Sequence, residues 1–123
     1  MSHSYRDLLA WQKARALAVS VYRVTENYPR REVYGLTSQL RRASVSIASN
    51  IAEGQGRLTR GEFQQFLGHA RGSLLEMQTQ LAISLDLGYL SDIDFNRLEE
   101  QSAEVLRLIN GLLESLRIRA AAG

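Results

Sequence analysis

The apolar positions of this chain repeat at helical intervals, and no stretch shows the period-two alternation of a strand. Leu8, Trp11, Ala14, Ala18, Val21 and Tyr22 recur three and four residues apart. They predict a first helix from about Asp7 to Asn27, with Asp7 as its N-cap. Pro29, the only proline, stops that helix, because the residue before a proline is pushed out of the α region. A second helix is predicted from Val33 to Glu53. It closes at Gly54-Gln55-Gly56, where glycine permits a left-handed cap. Thr59-Arg60-Gly61-Glu62 reads as a capping box in which Thr59 and Glu62 satisfy each other's amides. The third helix then carries Phe63, Phe66, Ala70, Leu74, Met77, Leu81 and Leu85 towards Gly88. Ser91-Asp92-Ile93-Asp94 caps a fourth, whose seam of Leu98, Val105, Ile109, Leu112 and Leu116 runs to about Arg119. Short connections between long helices favour antiparallel neighbours. The expected fold is all-α: an antiparallel up-down-up-down four-helix bundle, one domain over residues 7–119, with flexible termini at 1–6 and 120–123.

The second helix departs from a simple amphipathic pattern. At about 100° per residue, Leu36, Leu40, Ala43, Ile47 and Ile51 form one apolar stripe. Val45, Ala48 and Ala52 form a smaller one roughly 130° away. Between them lies a strip of Ser38, Gln39, Arg42, Ser46, Ser49, Asn50 and Glu53. The small-residue stripe allows close backbone approach, and self-association is one way to bury it. A glutamate set among Ser73 and Gln80 on the third helix, Glu76, is a candidate partner for Arg42. Burying such groups unpaired costs about 1–3 kcal/mol each. The strip is therefore read first as a buried polar network that fixes register and oligomer state, and second as a ligand surface. On this reading Ala48→Glu or Ala52→Glu breaks assembly, and Arg42→Ala destabilises the fold.

Composition narrows the function. The chain of 123 residues is 45% apolar and 23% charged, which suits one globular core. No uncharged apolar run approaches the roughly 20 residues that span a bilayer. The start lacks the apolar run of a secretory signal, and there is no cysteine, which together lead to an expected cytoplasmic location. The net charge is only +2, but residues 1–72 carry eleven Lys/Arg against five Asp/Glu, and residues 73–123 carry four against eight. The two halves can complement each other within or between subunits. Alternatively, Arg30, Arg31, Arg41, Arg57 and Arg60 offer phosphate contacts near two turns, one at each end of the bundle. Tyr28 and Tyr34 flank the first of these turns and read mainly as packing caps.

No constellation for catalysis emerges. His3 lies in the terminus and His69 beside the core position Ala70, neither with an orienting partner in view. Neither histidine has a glutamate three residues before it, as a di-iron bundle requires. Gly54-Gln55-Gly56 lacks the Gly-Lys-Ser/Thr ending of a phosphate loop. No metal, cofactor or small-molecule substrate is expected.

The run from Tyr34-Gly35-Leu36-Thr37-Ser38-Gln39-Leu40-Arg41-Arg42 through Ser49-Asn50-Ile51-Ala52-Glu53-Gly54 resembles the bacterial four-helix-bundle family named after proteins encoded in 23S rRNA intervening sequences. Asp7-Leu8 with Trp11, Arg57 with Glu62-Phe63 and Phe66-Leu67, Gly72-Ser73-Leu74 with Glu76, and Leu87-Gly88-Tyr89-Leu90 also match. The resemblance spans roughly Asp7 to Leu116. It implies a homopentameric barrel and similarity to accessory proteins of diversity-generating retroelements, which assist a reverse transcriptase through RNA and protein contacts. It brings no catalytic residues. The expected function is a non-catalytic oligomeric scaffold or adaptor that engages RNA or an RNA-handling protein through basic rims. The alternatives are a homo-oligomer that binds no nucleic acid and, last, a small-molecule-binding or enzymatic bundle. Gln39, Arg42, Ser46, Asn50, Glu53, Glu76, Val45, Ala48 and Ala52 are the candidate assembly positions.

Overall fold

A computed structural model describes residues 4–122, with side chains through Arg119. Four helices, α1 (Leu9–Thr25), α2 (Leu36–Gln55), α3 (Arg60–Asp86) and α4 (Asp92–Ala122), make up the described fold, with short 3-10 turns at Tyr5–Asp7 and Arg30–Glu32. There is no strand among the described residues. Each helix packs on its neighbours in sequence, α4 closes against α1, and the diagonal pairs stay apart. This is the up-down square. The 27 residues of α3 and 31 of α4 give lengths of about 40 and 46 Å. None of the described helices is long and apolar enough to cross a membrane.

The core is one cluster drawn from all four helices. Leu17 and Val21 of α1, Leu40, Ile47 and Ile51 of α2, Leu67, Leu74, Met77 and Leu81 of α3, and Leu98 and Ile109 of α4 are fully buried. The main α2 stripe faces this core as its spacing dictates. On α1 the seam differs from expectation. Leu17 is central while Tyr22 is largely exposed, because the α1 face is centred on Ala10, Ala14, Leu17 and Val21. Burial of polar side chains is handled locally. The hydroxyls of Ser44, Ser84 and Ser102 donate to carbonyls of Arg41, Gln80 and Leu98 on their own helices, so none is left unpaired.

Several boundaries move. Asp7 is not the cap of α1. The polypeptide makes a separate 3-10 turn capped by Ser4, whose side chain accepts the Arg6 amide, and Leu8 then adopts an extended conformation before α1 starts. Within residues 4–6 the Tyr5 ring meets Trp11 edge-on at 5.1 Å, and the Gln12 side-chain amide donates to the Arg6 carbonyl. The remaining residues of the expected tails, 1–3 with His3 and residue 123, lie outside the described residues, and α4 continues as helix to Ala122. The α2 helix starts at Leu36 rather than Val33, since residues 30–32 wind as a 3-10 turn.

Gly54 and Gly56 keep negative φ; among the described residues only Gly88 is left-handed, at φ 77°. The amides of Gly88 and Tyr89 donate to the Leu85 and Ser84 carbonyls, a Schellman closure of α3. Gly54 serves a different purpose. A Cβ there would lie 2.8 Å from Phe66 Cβ and 2.9 Å from Phe63 Cδ1, so its missing side chain lets α2 and α3 meet. Thr59 does cap α3 by accepting the Glu62 amide at 3.1 Å. The Glu62 carboxylate, however, takes the Thr59 hydroxyl rather than its amide.

Candidate interaction surfaces

The second stripe of α2 lies along α1. Val45, Ala48 and Ala52 form one wall of an outer groove, and Trp11, Ala18, Val19 and Tyr22 form the other, around a cleft of about 610 Å³. Val19, Tyr22 and Val45 remain 45, 41 and 43% exposed. Arginines stack along the groove's edges. The Arg15 guanidinium lies over Trp11 at 5.5 Å and that of Arg41 over Tyr22 at 4.6 Å, a cation–π geometry that holds planar cations against apolar walls. Val19 was not a sequence candidate, because it sits off the core face of α1. Its exposed spacing from Arg15, Tyr22 and Arg23 was the available signal.

The polar strip of α2 faces α3 along a second, polar cleft of about 370 Å³ lined by Gln39, Arg42, Ala43, Ser46, Ser73 and Glu76. A hydrogen-bond network crosses it. The Ser46 and Ser73 hydroxyls share a 2.9 Å bond, Asn50 donates to Ser46, and Gln80 donates to Gln39 at 3.4 Å and Glu76 at 3.2 Å. The expected Arg42–Glu76 ion pair inside the core is corrected. Both residues are exposed, and Arg42 makes no ion pair among the described residues. Arg42 projects from the outer side of α2, away from the Leu40–Ile47 stripe, and Gln80 takes the Glu76 carboxylate instead. A destabilised fold on loss of Arg42 no longer follows. Glu53, placed in the same strip, is exposed and lies 3.9 Å from Arg57 across one helical turn.

The five arginine candidates fall into different surroundings. Arg41 is a strut: its Nε donates to Thr25 Oγ1 at 2.9 Å and its Nη2 to the Tyr22 carbonyl. Arg31 stacks over Tyr89 at 5.9 Å, and Arg30 is exposed beside it. Their end also holds Tyr28, buried against Tyr89 at 5.5 Å, and the α3–α4 turn. Tyr28 thus packs as expected, whereas Tyr34 is 96% exposed and caps nothing. Glu32 organises this end by accepting the Leu36 amide at 3.1 Å and the Tyr89 hydroxyl at 3.0 Å. Those two bonds, the first above all, hold its carboxyl below the ordinary carboxylate value. Burial pushes the Tyr28 phenol up, against a weaker pull from Ser84. Asp86, Asp92 and Asp94 flank the α3–α4 turn, so this end is not a basic patch.

At the other end Arg57 and Arg60 sit on a cleft of about 510 Å³ with Arg119, which sequence reading had assigned only as the end of the last helix. Leu8, Leu58, Phe63, Leu112 and Leu116 give it an apolar floor, and no carboxylate lines it among the described residues. Arg57 lies over the Phe66 ring at 4.5 Å. His69 meets that ring edge-on at 6.1 Å and is exposed. No group of three or more metal-ligating side chains occurs among the described residues.

These features define an antiparallel four-helix bundle with clefts between helices and at both ends. The chain belongs to the family described as 23S rRNA-intervening sequence protein, which matches residues 6–111. It is also similar to a crystal structure from Bacteroides thetaiotaomicron, a protein of unknown function from the S23 ribosomal protein family. That likeness has a TM-score of 0.77 at 20% identity and covers 85% of this chain and 98% of the other; it carries the fold. Among curated proteins none matches.

Proposed function

We propose that this protein is a non-catalytic scaffold that assembles with copies of itself in the cytoplasm and engages RNA or an RNA-handling protein. The observation that carries the assembly is the α1/α2 groove, where Val19, Tyr22, Val45, Ala48 and Ala52 stay accessible along two helices. Exposed apolar clefts of this extent on a small domain mark contact surfaces. The basic first half and acidic second half of the chain favour a head-to-tail contact, in which the α1/α2 side of one copy meets the α3/α4 side of the next. Such heterologous contacts close into rings, and the resemblance implies a ring of five. The polar cleft around Arg42 and Glu76 then supplies directional hydrogen bonds along the seam.

Light scattering at micromolar concentration tests this reading. The expected result is a mass several times that of one chain; a monomeric mass overturns it. Ala48→Glu places a carboxylate in the groove and is expected to reduce the mass to one chain while the helical circular-dichroism signal is retained.

A second reading has its own support. Arg31 and Arg41 are engaged with rings and carbonyls of their own chain, which favours a purely structural homo-oligomer. An assembly that binds no RNA at low salt fits that reading.

A further inference from the structure

We infer that the cleft at the α2–α3 turn is a nucleotide site, which takes one phosphate and its base from a single-stranded RNA segment; this rests on the RNA part of the proposed function. Three guanidinium groups, Arg57, Arg60 and Arg119, line a cleft with no carboxylate among its described lining residues, although Arg57 also lies 3.9 Å from Glu53. The guanidinium groups of Arg60 and Arg119 make no hydrogen bond, ion pair or ring contact among the described residues, and both residues are exposed. Arginines in this state are available for the bidentate pairing that phosphate accepts. A bare anion needs no apolar floor, yet this cleft has one. Leu58, 98% exposed at the turn, stands over it with Phe63 and Leu112 beside the arginines.

An apolar floor within reach of a cationic rim matches a nucleoside phosphate, whose base offers a flat apolar face near the charge. The volume of about 510 Å³ lies within the roughly 300–1,000 Å³ of small-ligand sites, which suits one nucleotide at a time. A base stacked in a duplex cannot reach such a floor without unpairing, so unpaired segments are preferred. The opposite end differs: its cleft of about 350 Å³ sets Arg30 and Arg41 beside Glu26, and Arg31 is stacked on Tyr89.

Fluorescence anisotropy with a short labelled oligoribonucleotide, too short to bridge two subunits, tests the site. Neutralising one phosphate predicts a slope of log affinity on log salt of about −0.7, or roughly a 2.6-fold loss between about 50 and 200 mM salt. Arg60→Ala and Arg119→Ala are each expected to weaken binding several-fold, and the double variant to flatten the slope, while Arg30→Ala with Arg31→Ala leaves both unchanged. Leu58→Ser is expected to weaken binding several-fold at constant slope. Competition by adenosine monophosphate as well as unlabelled oligomer points to any nucleoside phosphate as ligand, and competition by the oligomer alone to a strand; both support the site. Wild-type affinity in the Arg60→Ala/Arg119→Ala double variant overturns the site but not RNA binding. Undiminished affinity in Leu58→Ser overturns the nucleotide assignment. Equal competition by polyglutamate assigns the cleft to an acidic protein and overturns the proposal. No binding by the wild type at about 50 mM salt removes the RNA reading itself.

Discussion

The two ends of the bundle begin from similar sequence, a pair of arginines beside a turn, and finish as different surfaces. At the α1–α2 end, Arg30 and Arg31 meet a second turn whose Tyr89 packs on Tyr28 and bonds Glu32, with Asp86, Asp92 and Asp94 alongside. At the α2–α3 end, Arg57 and Arg60 meet the last turns of α4, which bring Arg119 and apolar side chains instead of acids. At one end the cleft is smaller and includes a carboxylate, Glu26; at the other it is larger, with no carboxylate among the described lining residues. The character of a basic patch in a bundle is thus decided by the segment the topology brings opposite it.

Three perturbations separate the ends further. The largest effect is expected from Gly54→Ala, which drives a methyl group into Phe63 and Phe66. Overpacking of about 1–3 kcal/mol, partly offset by about 1 kcal/mol of helix propensity, predicts a melting temperature lower by several degrees. An unchanged melting temperature means that α2 and α3 separate easily at the α2–α3 end, and the contrast in packing fails. Next, Asp86→Asn with Asp92→Asn removes two negative charges from the α3–α4 turn at the Arg30 and Arg31 end. Oligonucleotide affinity is expected to rise by roughly two-fold at low salt; a larger gain makes that end a latent second site.

The smallest effect concerns acid. Glu32 has a depressed pKa in the fold, so its contribution is present above the ordinary carboxylate range. That contribution is lost as pH falls through the lowered folded value. Glu32→Gln is therefore expected to melt earlier than the wild type near neutral pH, with the gap closing under acid. A gap that persists at low pH means that the carboxylate charge does not hold this end together.

Helices and their core faces were legible because periodicity is a local property: Leu40, Ala43, Ile47 and Ile51 point inward as a wheel predicts. The 130° offset of Val45, Ala48 and Ala52 points them away from the core stripe, and the wall opposite them, Trp11, Val19 and Tyr22, belongs to α1 and emerges only from the packing of two helices. The partners of Arg41, Thr25 and Tyr22, lie on another helix, so spacing within α2 does not show them. Arg119 was passed over because nothing near it in sequence is basic enough to mark a patch; Arg57 and Arg60 stand some sixty residues earlier. Arg42 and Glu76 share a cleft, as their spacings suggested. Spacing alone could not tell a shared cleft from an ion pair.

The buried serines carry a mechanical consequence. Ser44, Ser84 and Ser102 each find their acceptor on their own helix, so sliding one helix past another orphans none of them. The bonds that cross from α2 to α3, Ser46 with Ser73 and Gln80 with Gln39, do resist such sliding, as does the close contact at Gly54. The α2–α3 hairpin is therefore the stiff spine of the subunit. The α4 helix, held to α1 by apolar packing and the exposed Lys13–Glu104 pair, is the element that can shear. Arg119 rides on that helix, so a small slide of α4 opens or narrows the cleft at the α2–α3 end without breaking a buried hydrogen bond.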